Sequence, residues 1–283
     1  MKILICGASG YIGNKMFKYF KKKGYEVDGT YYKNKINSFF EFSLKTNEEL
    51  EKKIMIKKYD IIIWAIGFKD LLKTEIFQGD IYKINISLLN LFIQKINKFN
   101  LNPKLIYIST DYVFDGQKGE YLDTDKPNPR TNYGLSKYLA ELMIDDLYPN
   151  YAIVRTAAVI SNGSNFIKWI KDQIKINKTI NFYSDSYFSP TPLSIFLKGI
   201  EKVFKNDESQ KTFHLSGNFK MSRDQLGELL FEGLGKNKKQ LIKKIETEKH
   251  LDFMKGDISL ISSNYFDKYE FREFKKIIID DIR

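Results

Sequence analysis

"KILICGASGYIG", residues 2–13, joins an apolar, β-rich run directly to a glycine-rich turn and the start of a helix. The glycines at Gly7, Gly10 and Gly13 let the backbone turn tightly and approach a pyrophosphate, whose negative charge the N-terminus of a helix favours. Structural loops also carry such glycine spacings, but the strand before and the helix after are the context that a dinucleotide site requires. This stretch therefore predicts a nucleotide-cofactor site.

Apolar runs and helical stretches alternate from this point onward. The runs are "YEVDGTYY" (25–32), "DIIIWAIG" (60–67), "KLIYIST" (104–110) and "YAIVRTA" (151–157), with helices predicted near 11–23, 47–56, 80–98 and 133–147. This alternation is typical of a parallel sheet with crossover helices, and continuously apolar strands indicate a sheet covered on both faces. We predict an α/β fold with a Rossmann-type, doubly wound parallel sheet.

The alternation loosens after residue 160. "SPTP" (189–192) acts as a break, and "FHLSG" (213–217) is predicted to be a returning strand. We predict an NAD(P)-binding Rossmann domain over 1–159. A smaller region over 160–283 is predicted mainly to bind substrate, with some segments returning to the Rossmann core.

Composition limits the other classes of protein. The longest apolar stretch, near 61–65, is far shorter than the roughly 18 residues that span a bilayer, so we expect a soluble, cytoplasmic protein without a membrane partner. The single cysteine, Cys6, rules out an intramolecular disulfide and is expected to be a buried core thiol. Two histidines, His214 and His250, do not indicate a metal centre, and we expect no metal.

The net charge of +11 raises the question of a nucleic-acid partner. Of the 46 basic residues 41 are lysines, spread along the whole chain between acidic residues, and this pattern is typical of a lysine-rich composition and not of a binding face. We expect no nucleic-acid partner, although the positive field favours an anionic small-molecule substrate.

The second chemical motif combines "STDYVFDG" (109–116) with "YGLSK" (133–137). Tyr133 and Lys137 are four residues apart on a predicted helix and share one face. The helix begins beside the C-terminal edge of the predicted sheet, where open α/β sheets bind ligands. There a tyrosine can donate a proton to a developing alkoxide if a nearby ammonium lowers its pKa, and Thr110 can hydrogen-bond the carbonyl oxygen. The alternative is that Tyr133 and Lys137 are ordinary surface residues of a helix.

With these motifs the chain resembles the extended short-chain dehydrogenases/reductases, and in particular the dTDP-4-dehydrorhamnose reductases. The resemblance runs nearly end to end and implies NAD(P)H-dependent reduction of the C4 keto group of a nucleotide-linked 6-deoxysugar, for deoxysugar or surface-polysaccharide biosynthesis. By motif position it implies a catalytic set of Thr110, Tyr133 and Lys137, with Tyr133 and Lys137 also touching the cofactor and Thr110 and Tyr133 the substrate. Further implied contacts are Ser9, Tyr11, Ile12, Ala65, Ile66 and Gly67 for the cofactor and Tyr112 for the sugar.

The choice of cofactor depends on the end of the second strand. An Asp or Glu there would bind the ribose hydroxyls of NAD, whereas this chain has "GTYYKNK" (29–35), without an acid. Lys33 is placed to meet a 2′-phosphate. We therefore predict NADPH as the cofactor, with NADH left open.

Several alternatives remain at this stage. Arg155 is a candidate for holding substrate phosphates, with a buried structural ion pair as the equal alternative. The chain departs from the resembled pattern at Leu72, Ala158 and Met254-Lys255, so neither the sugar nor the nucleotide is identified. A homodimer is one option for the assembly. The rival functions are an NADP-binding regulatory subunit without catalysis, as in the methionine adenosyltransferase beta subunit, and a nucleotide-sugar epimerase or dehydratase.

Overall fold

The computed structural model describes residues 1–32, 35–36, 38–42, 48–68, 78–234 and 242–283. Helices and strands alternate along the first part of the chain, as the sequence predicts. The strands are β1 (Lys2–Cys6), β2 (Glu26–Tyr31), β3 (Phe40–Glu41), β4 (Ile61–Trp64), β5 (Lys104–Thr110), β6 (Tyr151–Thr156), β7 (Val159–Ile160), β8 (Ile180–Tyr183), β9 (Ser186–Phe188), β10 (Thr191–Pro192), β11 (Lys211–His214), β12 (Met221–Ser222), β13 (Ile242–Ile245) and β14 (Gly256–Asp257).

The helices follow the same chain order. They are α1 (Tyr11–Lys22), α2 (Glu48–Lys57), α3 (Gln78–Tyr82), α4 (Leu88–Lys98), α5 (Asn132–Leu147), α6 (Asn165–Lys175), α7 (Leu193–Lys205), α8 (Arg223–Gly233) and α9 (Phe271–Ile282). A π-helical segment (Lys83–Ser87) joins α3 to α4, and short 3₁₀ turns cover Asp111–Val113 and Lys249–Met254. None of the described helices is both long enough and apolar enough to cross a bilayer.

Within the described part of the chain, seven strands form the main sheet in the order β11-β6-β5-β4-β1-β2-β3. The pairs β1–β2, β1–β4, β4–β5 and β2–β3 are parallel. Strand β1 therefore lies between β2 on one side and β4 on the other, which is the reversal of strand order at which open α/β sheets bind ligands. The predicted Rossmann-type α/β fold is confirmed.

The central strands are apolar along their whole length because the sheet is covered on both faces. Ile3, Leu4, Ile5 and Cys6 of β1 are fully buried, and β4 is buried throughout. One core cluster packs these strands against residues of α4 and α5 such as Phe92 and Ile144. The free thiol of Cys6 is buried in that cluster, as predicted.

The chain divides into two compact units. Unit one comprises 1–113, 131–154 and 201–212, and unit two comprises 114–130, 155–200 and 213–283. Unit two contains short sheets of order β10-β7, β12-β9-β14 and β13-β8. The predicted substrate-binding role of 160–283 stays a prediction.

Two predictions for the second half of the chain differ in detail from the structure. The "SPTP" segment is not only a break, because Thr191–Pro192 forms β10 and pairs in parallel with β7. The strand predicted over 213–217 is observed as Lys211–His214. Leu215 still donates its N–H to Arg155 O at 2.9 Å, but the chain then leaves the ladder at Gly217, whose α-carbon lies so close to Pro190 that a Cβ would be 2.2 Å from its carbonyl oxygen.

Gly13→Ala should lower the free energy of unfolding by about 1–3 kcal/mol, because the new methyl group would lie 2.2 Å from Gly7 O in the turn between β1 and α1. Gly79→Ala is the matched control: a Cβ there meets no described atom within 4 Å, so this helical substitution should not destabilise the protein. Denaturant unfolding followed by circular dichroism measures both. Equal midpoints for the two variants would contradict the tight packing at Gly13.

Candidate active site

The turn after β1 brings the backbone of the strand and the first turn of α1 into close contact. Gly7 has φ +88°, and Gly10 donates its N–H to Gly7 O at 2.9 Å. A Cβ at Gly13 would overlap Gly7 O. This tight packing requires glycine, and it leaves the helix N-terminus facing the turn.

The N-terminus of α1 has the properties of an anion site. No described side chain caps it at Gly10, and its first turn, "YIGN", contains no acidic residue. The backbone N–H groups and the positive end of the helix dipole therefore favour a phosphate group at this helix terminus. The donor set fits a dinucleotide diphosphate, and Ser9, Tyr11 and Ile12 lie in this turn and the start of the helix.

Thr30 holds the glycine turn in place, and the sequence analysis missed it. Its Oγ1 accepts a hydrogen bond from Gly7 N at 2.9 Å, and its carbonyl oxygen accepts one from Ser9 N at 3.2 Å. Thr30 is 1% exposed at the end of β2. The only local signal was a small polar residue near the end of β2, next to the buried Gly29.

The segment after β4 contacts the glycine turn. Ala65 N donates to Cys6 O at 2.9 Å, and the Ile66 side chain and backbone lie against Gly7. A Cβ at Gly67 would be 3.9 Å from Lys137 Nζ. The structure therefore brings the two predicted cofactor segments together and places the second beside Lys137. Lys33 and Leu72 lie outside the described residues.

The three predicted catalytic residues come together where the end of β5 packs beside α5: Thr110 ends the strand, and Tyr133 and Lys137 lie on the helix. The Thr110 hydroxyl donates to Asp111 Oδ1 at 3.0 Å and lies close enough to the Tyr133 phenol to affect its pKa. The ring of Tyr112 meets the ring of Tyr133 edge-on, with centroids 6.1 Å apart. Helix α5 begins just before Tyr133 because the Thr131 hydroxyl accepts from Gly134 N at 2.9 Å. This N-cap determines which turn of the helix faces Thr110.

Lys137 is buried next to this site. It is 3% exposed, its Nζ donates to Ile108 O at 2.6 Å, and it lies 4.0 Å from the ring centroid of Tyr107. Burial lowers the pKa of Lys137 to about 7, and the negative charge of Glu141 acts in the opposite direction.

The protonation of Tyr133 differs from the expectation. The sequence analysis expected the ammonium to lower the phenol pKa, but in this structure the net shift of the Tyr133 pKa is upward. Desolvation of the phenolate is the largest cause, Asp111 and Tyr112 add to it, and the hydrogen bond from Thr110 offsets only part. The reason is that burial penalises the anion of Tyr133 and the cation of Lys137 at the same time.

Asn85 joins the cofactor segment to α5 and was also missed. It is 1% exposed within the π-helical segment; its Oδ1 accepts from Phe68 N at 2.8 Å and its Nδ2 donates to Ser136 Oγ at 2.9 Å. Ser136 in turn donates to Tyr133 O at 2.8 Å. Nothing in "YKINIS" announces a π-helical turn, and the partners lie 17 and 51 residues away in the chain.

Arg155 belongs to unit two, where it lies in a buried cluster. It is 5% exposed, and its guanidinium carbon is 5.3 Å from the ring centroid of Phe114, which stacks on Tyr121 at 4.1 Å. His214 is fully buried, meets Phe114 edge-on at 5.5 Å, and has Nδ1 3.0 Å from Tyr121 O. Both the substrate role and the structural role of Arg155 stay predictions. Among the described residues no cluster of three or more His, Cys, Asp or Glu side chains is placed to hold a metal ion.

Comparisons with known proteins give consistent relatives. A family model described as RmlD substrate binding domain matches residues 1–255. The spore coat polysaccharide biosynthesis protein SpsK of Bacillus subtilis (strain 168) is 25% identical over 219 residues, 77% of this chain and 74% of that protein. A dTDP-4-dehydrorhamnose reductase of Aggregatibacter actinomycetemcomitans is 28% identical over 223 residues, 76% of this chain and 73% of that protein.

A solved structure shows the same fold. The dTDP-4-dehydrorhamnose reductase (rfbD) of Bacillus anthracis str. Ames, crystallised in complex with NADP, superposes with a TM-score of 0.83. The match covers 99% of this chain and 98% of that chain at 21% identity. At this identity the likeness concerns the fold.

The stability of the protein should depend on the pH through His214. Burial, helped by the charge of Arg155, lowers the pKa of His214 to about 4, whereas an unfolded histidine titrates near 6.5. As the pH falls through this window the unfolded chain binds a proton that the folded protein does not. The contribution is therefore complete above about pH 6.5 and is lost as the pH falls towards 4, by about 2 kcal/mol between pH 7.5 and pH 5.

His214→Asn provides the control, because an amide near the position of Nδ1 still donates to Tyr121 O and does not titrate. Urea unfolding at several pH values should give a shallower pH dependence for this variant than for the unmodified protein. Parallel curves would show that His214 is not the group responsible.

Proposed function

The chain belongs to the RmlD substrate-binding domain family, and from this premise we propose that it is an NADPH-dependent oxidoreductase that reduces the C4 keto group of a nucleotide-linked 4-keto-6-deoxysugar. The observation that carries the proposal is that Thr110 and Tyr133 come together at the end of β5, one helical turn from a buried Lys137 that lies beside the Gly67 segment. The relatives support it, since one is named a dTDP-4-dehydrorhamnose reductase and another a polysaccharide biosynthesis protein.

NADPH is the proposed cofactor. The reductase of the same fold from Bacillus anthracis was crystallised with NADP, and the glycine turn of this chain leads into a helix N-terminus without a side-chain cap or an acidic first turn, which suits a dinucleotide diphosphate. The acidic residues of β2 are Glu26 and Asp28, and the carboxylate of Asp28 is held by Tyr59 at 2.6 Å and by Lys57. Between Asp28 and the end of β2 at Tyr31 there is no acidic residue. A ribose 2′-phosphate bound near the end of β2 would therefore meet no carboxylate of this strand.

When bound, NADPH supplies the hydride that adds to the carbonyl carbon. The residues of the chain bind the carbonyl oxygen and donate a proton to it. The Tyr133 and Thr110 hydroxyls lie close together. The Thr110 hydroxyl donates to Asp111 Oδ1 in this structure, and a rotation about its C–O bond would let both hydroxyls donate to a carbonyl oxygen. Because its pKa is raised, the phenol is fully protonated at neutral pH and holds the proton that the oxygen needs.

Lys137 acts after the proton has left. Loss of the proton makes Tyr133 an anion in a desolvated place, and an ammonium on the same helix face stabilises it.

Tyr112, whose ring meets that of Tyr133, is the proposed sugar contact. Arg155 is proposed to hold either the substrate phosphates or the buried cluster of unit two. A cytoplasmic location and a homodimer stay predictions.

Tyr133→Phe should reduce turnover by about 10²- to 10⁴-fold, the usual effect of losing a general acid, while the affinity for NADPH changes little because the ring is retained. Thr110→Val should have a smaller effect, and Tyr138→Phe on the same helix is the matched control. The assay follows NADPH absorbance with dTDP-, GDP- and CDP-linked 4-keto-6-deoxysugars.

Each rival function has its own outcome in this assay. An unmodified protein that binds NADPH and reduces no sugar of the panel would favour a regulatory subunit. Co-purified NAD that does not exchange would favour an epimerase or dehydratase. Turnover by Tyr133→Phe at the unmodified rate would remove Tyr133 as the acid.

Lys33→Glu should raise the Michaelis constant for NADPH far more than that for NADH, because a carboxylate would repel the 2′-phosphate. Lys35→Glu is the control, since it introduces the same charge change two residues away at an exposed position. Steady-state kinetics with both cofactors give the ratio. An unchanged ratio in Lys33→Glu would exclude Lys33 from the cofactor site.

A further inference from the structure

A third polar residue, Glu141, lies on the same face of α5 as Tyr133 and Lys137. Glu141 follows Lys137 by four residues. Lys137 Nζ donates to Ile108 O, and the hydroxyl of the next residue in β5, Ser109, donates to Glu141 Oε1. The helix is therefore attached to the end of β5 by a buried cation and a buried carboxylate on consecutive turns.

Both side chains are almost completely removed from water. Lys137 and Glu141 are each 3% exposed. Burial of an isolated ammonium is costly, and a nearby carboxylate offsets this cost. The ring of Tyr107 beneath Nζ adds an attraction for the cation but carries no charge of its own.

We propose that Glu141 is a positioning residue that keeps Lys137 protonated inside the protein, and so supplies the positive charge that Tyr133 requires once its proton has left. The consequence for Tyr133 rests on the proposed function. The effect of Glu141 on Lys137 is a property of the chain itself and holds whatever the substrate is.

The titratable neighbours of Lys137 support this assignment. Strand β5 presents Tyr107 and helix α5 presents Tyr133 and Glu141, while Asp111 of the following turn acts on Tyr133. The segments that approach from β4 and the π-helical turn bring Gly67 and Asn85, which do not titrate. Glu141 is the acid that acts on Lys137, against a burial that lowers the lysine pKa to about 7.

The test observes Lys137 directly. In protein grown with [ε-¹³C]lysine, most lysine signals titrate near pH 10.4, and the signal of Lys137, assigned by its loss in Lys137→Met, should titrate near pH 7. In Glu141→Gln, which retains an amide oxygen to accept from Ser109, the midpoint should fall by about one pH unit. The measurement needs neither substrate nor cofactor.

Asp145→Asn is the matched control. Asp145 lies four residues after Glu141 on α5 and accepts a hydrogen bond from the Tyr151 hydroxyl, so this variant removes the same charge one turn further away. Its Lys137 midpoint should stay close to that of the unmodified protein. An unchanged midpoint in Glu141→Gln, or an equal fall in Asp145→Asn, would overturn the proposal.

Two further measurements complete the design. If Glu141→Gln does not fold, Glu141→Asp takes its place: the shorter side chain withdraws the charge, and the Lys137 midpoint should fall in the same direction but by less. An unchanged midpoint there overturns the proposal too. Once a substrate is known, the alkaline limb of the rate profile should move to lower pH in Glu141→Gln. If the protein has no reductase activity but the Lys137 midpoint still falls in Glu141→Gln, the proposed function is wrong and the effect of Glu141 on Lys137 stands.

Discussion

A buried ammonium on the carbonyl end of a strand is the constraint on which the site depends. Lys137 is held in its position by the hydrogen bond that Nζ donates to Ile108 O and by the contact of Nζ with the face of the Tyr107 ring. These contacts prevent helix α5 from sliding along β5. With the helix held in that register, Tyr133 lies one turn earlier and meets Thr110. The same contacts that stabilise a charge in the interior thus determine the geometry of the chemistry.

The parallel sheet supplies the second half of the arrangement. Strands β1, β4 and β5 are neighbours and run in the same direction, so their carboxyl ends open at one edge. The glycine turn, the Gly67 segment and Thr110 therefore come together although about one hundred residues separate the first from the last. Glycine is needed where the backbones meet at Gly7, because its φ is +88° and a Cβ there would lie 3.0 Å from the Ile66 side chain.

The shifted pKa values of Tyr133 and Lys137 follow from the exclusion of water from their charged forms. Desolvation raises the pKa of Tyr133 and lowers that of Lys137, so an acid that keeps its proton stands beside a base that tends to lose its own. A pair of this kind needs an added negative charge to keep the lysine positive, and Glu141 lies at the distance of one helical turn. The hydrogen bonds of Asn85 to Phe68 and Ser136 join the neighbouring segment to this helix and limit its movement.

The sequence by itself determined the sheet, the glycine turn, the burial of Cys6 and the sharing of one helix face by Tyr133 and Lys137. These features follow from local patterns: apolar runs, the steric freedom of glycine and a spacing of four residues. Only the tertiary structure decided the contacts of Thr30, Asn85 and Glu141 and the direction of the Tyr133 pKa. Each of these depends on which distant segments exclude water from a side chain, and no local pattern in a sequence carries that information.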